Sequence, residues 1–210
     1  MTSSDKSTPA PTPTPFAERT YRSSAGIAGG VLLLGLAGWL GGDAVINGDG
    51  RIPWIALAGL LLGVPLVVAF TLRPLVSADE ARIRVRNPLR TITAPWAAVT
   101  DIRAGYSTEL FAGDRKYQLW AIPVSLRARK RAARATAGSG RPSRAEALNP
   151  QVDPVRAWSD QAVDDLRELR ERNAASEAAQ GGITVRWAYE VIAPAAAGAV
   201  VLAVLLAVTG

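Results

Sequence analysis

The sequence predicts a membrane protein with α-helical spans and an α+β domain set between the second span and the third. Two long uncharged runs lie either side of a short turn-rich connector, and a third apolar run ends the chain. Between the second and third runs, short segments alternate apolar and charged residues before a single amphipathic helical stretch. Hydrophobic residues make up 49% of the chain but aromatics only 6%, so the apolar content is mostly Ala, Val and Leu, a balance that suits spans.

The net charge of +6 comes mainly from arginine, since lysine occurs only at Lys6, Lys116 and Lys130. Such a basic surface suits anionic lipid or nucleic acid. The chain has no cysteine and no histidine, which excludes disulfides, thiolate nucleophiles, Cys/His zinc sites and every histidine-based acid, base or triad.

Residues 1–23 are expected to be a disordered tail, because the stretch Thr2 to Pro15 is rich in Ser, Thr and alternating Pro and has little to bury. Such a start argues against a cleaved signal peptide. Residues 24–73 should form a two-helix transmembrane hairpin. Ala25 to Gly42 and Ile52 to Leu72 carry no charge and are long enough to cross a bilayer core of about 30 Å. The connector between them holds Asn-Gly and Asp-Gly turn signals, and Pro65 should kink the second span or be absorbed by packing. A third helix is expected over 186–210; its one acid, Glu190, should stay in the headgroup layer or meet Arg186. Arginines crowd the tail and the segment after Leu72 but not the connector. The positive-inside rule therefore places the tail and the central domain in the cytoplasm, with the connector and C-terminus outside.

The central domain is expected at 74–182. Leu75 to Ser77 and Ala81 to Arg86 read as strands, with Ile83 and Val85 on one face and Arg82, Arg84 and Arg86 on the other. Asn87-Pro88 turns, Leu89 to Thr93 returns, Pro95-Trp96 makes a corner, and Val99 to Arg103 resumes. A further hairpin from Thr108 to Val124 turns at Gly113-Asp114. Residues 127–155 have little apolar periodicity and much Gly, Pro and Arg, so a flexible basic insertion is expected there. A helix follows from about Trp158 to Gln180, with Ser159 as its cap. The segment from Arg73 to Gln180 should therefore fold alone as a β-rich domain with one helix.

This order of strands, the "PW" corner, the "GDRKYQLWAIP" hairpin and the final amphipathic helix, set behind a two-span hairpin, resembles the bacterial PH-like domains of actinobacterial membrane proteins, the low-molecular-weight protein antigen 6 type. Heavy use of Ala, Gly, Pro and Arg also fits a GC-rich genome. The resemblance implies a PH-like, strongly bent antiparallel sheet capped by a C-terminal helix. It implies no activity, as many PH-like domains are interaction scaffolds. The expected role is that of a non-enzymatic integral membrane protein presenting this module at the cytoplasmic face for protein–protein or membrane-surface interaction. The alternatives are an accessory subunit of a membrane transporter or enzyme, or a specific anionic-lipid-binding module.

No catalytic, cofactor-binding or metal-ligating residue is expected. Asp160, Asp164, Asp165, Glu168 and Glu171 alternate with Arg167, Arg170 and Arg172 at helical spacing, the pattern of a salt-bridged solvated face rather than a metal patch. The residues expected to meet an anionic surface are Arg84, Arg86 and Arg90 around the hairpin turn, and Arg127, Arg129, Lys130, Arg131 and Arg134 in the insertion. They look scattered, so diffuse attraction is expected, with Arg→Lys changes at the first three nearly silent. The basic cluster lacks interleaved aromatics, which argues against nucleic acid. Trp96 should plug the core. Gly26 with Gly30, Gly38 with Gly42, and Gly59 with Gly63 have the spacing of close helix contacts, serving either the hairpin itself or a homo-oligomer. The lipid bilayer and an unknown protein are the expected partners.

Overall fold

The computed structural model describes residues 18–124 and 154–208. The element order is β1 (Arg19–Tyr21), α1 (Ser24–Asn47), α2 (Ile52–Val67), β2 (Leu75–Ala78), β3 (Arg82–Arg86), β4 (Arg90–Pro95), β5 (Val99–Ala104), β6 (Thr108–Ala112), β7 (Arg115–Gln118), α3 (Pro154–Asn173), β8 (Thr184–Trp187) and α4 (Tyr189–Ala207). The fold is α+β with antiparallel sheets, accompanied by three helices long and apolar enough to cross a membrane.

The alternation in "RIRVR" has the predicted result: Ile83 and Val85 are buried in β3 while Arg82, Arg84 and Arg86 are exposed. The loop before β3 is closed by Asp79, whose Oδ1 accepts the backbone N–H groups of Ala81 and Arg82, each at 2.8 Å. Trp96 is fully buried, as expected, and its indole N–H donates to the Asp79 carbonyl at 2.7 Å. Pro95 and the short 3₁₀ turn Trp96–Ala98 end β4 and redirect the chain. The result is two sheets rather than one bent sheet: a five-stranded one ordered β1-β2-β3-β4-β8 and a three-stranded one ordered β5-β6-β7. In the β6–β7 hairpin Gly113 adopts a φ of +57°, which suits glycine at a two-residue turn.

Two strands of the larger sheet come from outside the predicted domain. Arg19–Tyr21, assigned to the tail from its neighbours' composition, pairs with β2, and Thr184–Trp187 pairs with β4. Both are short and are separated from an apolar helix by no more than two residues, so neither has the length from which alternation is read. Helix α3 covers the core with Ala162, Val163 and Leu166. It begins at Pro154, a favourable first helical residue, so Ser159 lies inside it rather than capping it. It ends at Asn173, short of Gln180, and a 3₁₀ turn at Glu177–Ala179 follows. Tyr21 ties β1 to α3: its hydroxyl donates to Asp165 Oδ2 at 3.2 Å and its ring meets Trp158 edge-on at 6.5 Å.

Helix α1 runs to Asn47, so Asp43 to Asn47 of the expected connector are helical. Helix α2 continues into a π-helical turn, Val68–Leu72, just after Pro65. Proline lacks the N–H for the normal ladder, and the wider turn absorbs the mismatch; Arg73 N–H donates to the Val68 carbonyl, five residues back, at 2.9 Å. Helix α2 lies between α1 and α4. Of the glycine pairs singled out by spacing, only Gly26 and Gly30 meet another helix; Gly38, Gly42, Gly59 and Gly63 face open space. The tight crossings are at Gly30 against Thr71, Gly41 against Leu60, and Gly198 against the backbone of Leu61 and Leu62. Gly41 and Gly198 are outside the expected pairs, because a crossing point depends on helix rotation as well as spacing.

Candidate functional site

All three apolar helices meet the sheet at one end. Arg22 and Ser23 join β1 to α1, Arg73 and Pro74 join the π turn to β2, and Ala188 joins β8 to α4. Several contacts fix this junction. Arg73 Nη1 pairs with Glu190 Oε1 at 2.6 Å, Nε donates to the Asn87 carbonyl at 3.2 Å, and Nη2 donates to Thr91 Oγ1 at 3.2 Å. Asn87, read from sequence only as a turn residue, is buried: its amide donates to the Gln118 carbonyl at 2.8 Å and so links the two sheets. Phe70 of the π turn meets Trp120 edge-on at 5.5 Å.

Above this junction, on the sheet face opposite the core, lies an open cleft of about 520 Å³. Strand register builds its walls. Arg86, Thr91 and Arg186 form one row across β3, β4 and β8; Arg84, Thr93 and Thr184 form the next. Arg22, Arg73 and Glu190 line the side toward the apolar helices. Arg22 Nη2 donates to the Leu72 carbonyl at 3.1 Å, and Arg73 is paired as above. Arg84, Arg86 and Arg186 are exposed, and among the described residues none hydrogen-bonds to their guanidinium groups or forms a salt bridge with them. A concave surface lined by five arginines against one glutamate concentrates anions.

Of the residues expected at an anionic surface, Arg84 and Arg86 thus lie in the cleft. Arg90 does not: it projects from the opposite face of β4, its guanidinium 5.7 Å from the centre of the Tyr117 ring. The side-chain period of two in a strand separates Arg90 from Thr91 and Thr93, which its proximity to the turn concealed. Arg127, Arg129, Lys130, Arg131 and Arg134, and the proposed insertion up to Asp153, lie outside the described residues. In the sequence Arg22 and Arg73 stand out only as basic flanks of the apolar runs, and Arg186 only as a candidate partner of Glu190; nothing local to them marks them as neighbours of β3. Glu190 hydrogen-bonds Arg73 rather than Arg186.

The acidic helix divides its work. Arg167 with Asp164 and Arg172 with Glu168 form exposed ion pairs at 3.4 Å. Arg167 and Arg170 also donate through Nε to the carbonyls of Ile102 and Val99 at 2.8 and 2.7 Å, holding α3 to β5. Burial, and then the neighbouring Asp165 carboxylate, push the Tyr21 hydroxyl above its ordinary value.

Residues 73–172 match the family described as Bacterial PH domain. The match takes in β2 to β7 and nearly all of α3, and leaves out β1, the apolar helices and β8. Comparison with curated proteins and with solved structures finds no match.

Proposed function

We propose that the chain is a non-enzymatic integral membrane protein whose three helices hold a PH-like module against the cytoplasmic face of the cell membrane for membrane-surface or protein interaction. One observation carries this reading: every apolar helix enters the module at the same end, beside the arginine cleft. At the other end of the helices Arg51 Nη1 donates to the Val208 carbonyl at 3.4 Å, so the connector and the end of α4 lie together. Helices arranged this way take the module to one side of a bilayer and the connector to the other, and the arginine flanks favour the module as the cytoplasmic side.

The chain has no cysteine, so single cysteines report orientation cleanly. Asp49→Cys in the connector should react with a membrane-impermeant maleimide in intact cells. Ala97→Cys, exposed at the far side of the module, should react only after the membrane is opened. Equal labelling of both in intact cells contradicts the reading.

A further inference from the structure

Building on that reading of a module held at the bilayer, we propose that the arginine cleft binds the phosphorylated headgroup of an anionic lipid carrying more than one negative charge, drawn sideways from the adjoining leaflet.

The charge count sets the ligand class. Five guanidiniums line the cleft against one carboxylate, Glu190. Glu190 is held by Arg73 and lies within the field of Arg186, and Arg22 is turned to the Leu72 carbonyl, which leaves the guanidiniums of Arg84, Arg86 and Arg186 on one face with no hydrogen bond or salt bridge among the described residues. A singly charged headgroup would leave most of that charge unmatched. Arg86 and Arg186 stand in one row with a single strand between them, about 10 Å apart at the backbone. The residue between them is Thr91, so a short hydroxyl forms the floor between two long guanidinium arms. Thr91 Oγ1 already accepts from Arg73, which leaves its own O–H free to donate upward. Arginine forks match phosphate oxygens in pairs, a geometry that lysine cannot supply.

Position selects a lipid over a soluble phosphate. Arg73 follows directly on the second span and Glu190 lies in the first turn of the third, so the cleft floor is level with the span ends. Trp187 in the cleft wall and Tyr189 beside it are both exposed, as aromatics at a membrane interface are. A headgroup in this cleft would leave its acyl chains beside helix surfaces that are apolar and outward-facing.

The test uses the full-length protein in mild detergent, titrated with defined lipids and read by native mass spectrometry. Diphosphatidylglycerol, with two phosphates, should bind at least about tenfold more tightly than phosphatidylglycerol, with one. Arg84→Gln with Arg86→Gln should lose about tenfold, and Arg86→Lys should also weaken binding because charge remains while the fork is lost. Arg115→Gln, an exposed arginine on β7 away from the cleft, should change nothing. Equal loss in Arg115→Gln, a silent Arg86→Lys, or no preference between the two lipids would overturn the site in favour of diffuse charge. Inorganic pyrophosphate that displaced the lipid at similar concentrations would assign the site to a soluble ligand instead. Because binding in detergent does not depend on orientation, failure here leaves the cysteine-labelling result standing, and the converse also holds.

Discussion

Arg73 and Glu190, 117 residues apart in sequence, meet at 2.6 Å and join the exit of the second apolar helix to the entrance of the third. The two partners are not equivalent. Arg73 is only 16% exposed and also holds Asn87 and Thr91, whereas the Glu190 side chain is 64% exposed. Arg73 is therefore the strut, and Glu190 is one of three groups that it grips.

Replacing the two should accordingly differ. Arg73→Ala gives up two hydrogen bonds to the module besides the ion pair, and should lower stability by about 1–3 kcal/mol. Glu190→Gln can keep a hydrogen bond to Arg73 and should be close to wild type. Denaturant unfolding of the detergent-solubilised chain checks this; equal losses would mean that the ion pair alone carries the junction.

The Gly198 crossing makes a sharper steric prediction. A methyl group there strikes the backbone of Leu61 and Leu62, which cannot turn aside as a side chain could. Gly198→Ala should destabilise by about 1–3 kcal/mol. Gly59→Ala and Gly63→Ala, which point into open space, should be tolerated. Thermal unfolding in detergent separates the cases.

Tyr21 gives the fold a pH dependence at its alkaline end. Its hydroxyl is held above the ordinary value of 10.0, first by burial and then by Asp165. The folded state thus binds this proton more tightly than the unfolded state does. The resulting stabilisation is fully present below pH 10.0 and is lost as pH rises through the higher folded value. Tyr21→Phe should cost about 1 kcal/mol at neutral pH through the lost hydrogen bond, and should flatten the alkaline fall in stability. An unchanged alkaline profile would show that another group governs it.

The elements legible in the sequence were those with long, unmixed signals. Ile83 and Val85 alternating with arginines identified β3, the uncharged runs identified the long apolar helices, and Trp96 among small apolar residues identified the core plug. What was hidden depends on pairing at long range. Three residues at Arg19–Tyr21 have no readable period, and only β2 makes them a strand. The cleft was half legible: Arg84 and Arg86 were marked by alternation, but Arg186 joins them through the β4–β8 register, and Arg73 through the path of the chain out of the π turn. Arg90 shows the converse, since closeness to the turn grouped it with residues from which one step along a strand separates it.

That distinction bears on dissection of the chain. A fragment from Arg73 to Gln180 lacks β1 and β8 and exposes both flanks of the remaining sheet. It should be less stable and more prone to associate than the same fragment carrying the two missing strands as added peptides. Sedimentation with and without peptides spanning residues 18–23 and 183–188 measures the difference; a monomeric, fully stable fragment would mean that the outer strands are dispensable.

The cleft is expected at headgroup depth, and spin labels on single cysteines in the reconstituted protein measure that depth. Labels at Leu32→Cys, Trp187→Cys and Ala97→Cys, read by collision with oxygen and with a water-soluble nickel complex, should report hydrocarbon, interface and open water in that order. Water-like exposure at both Trp187→Cys and Ala97→Cys would detach the cleft from the bilayer and contradict the account.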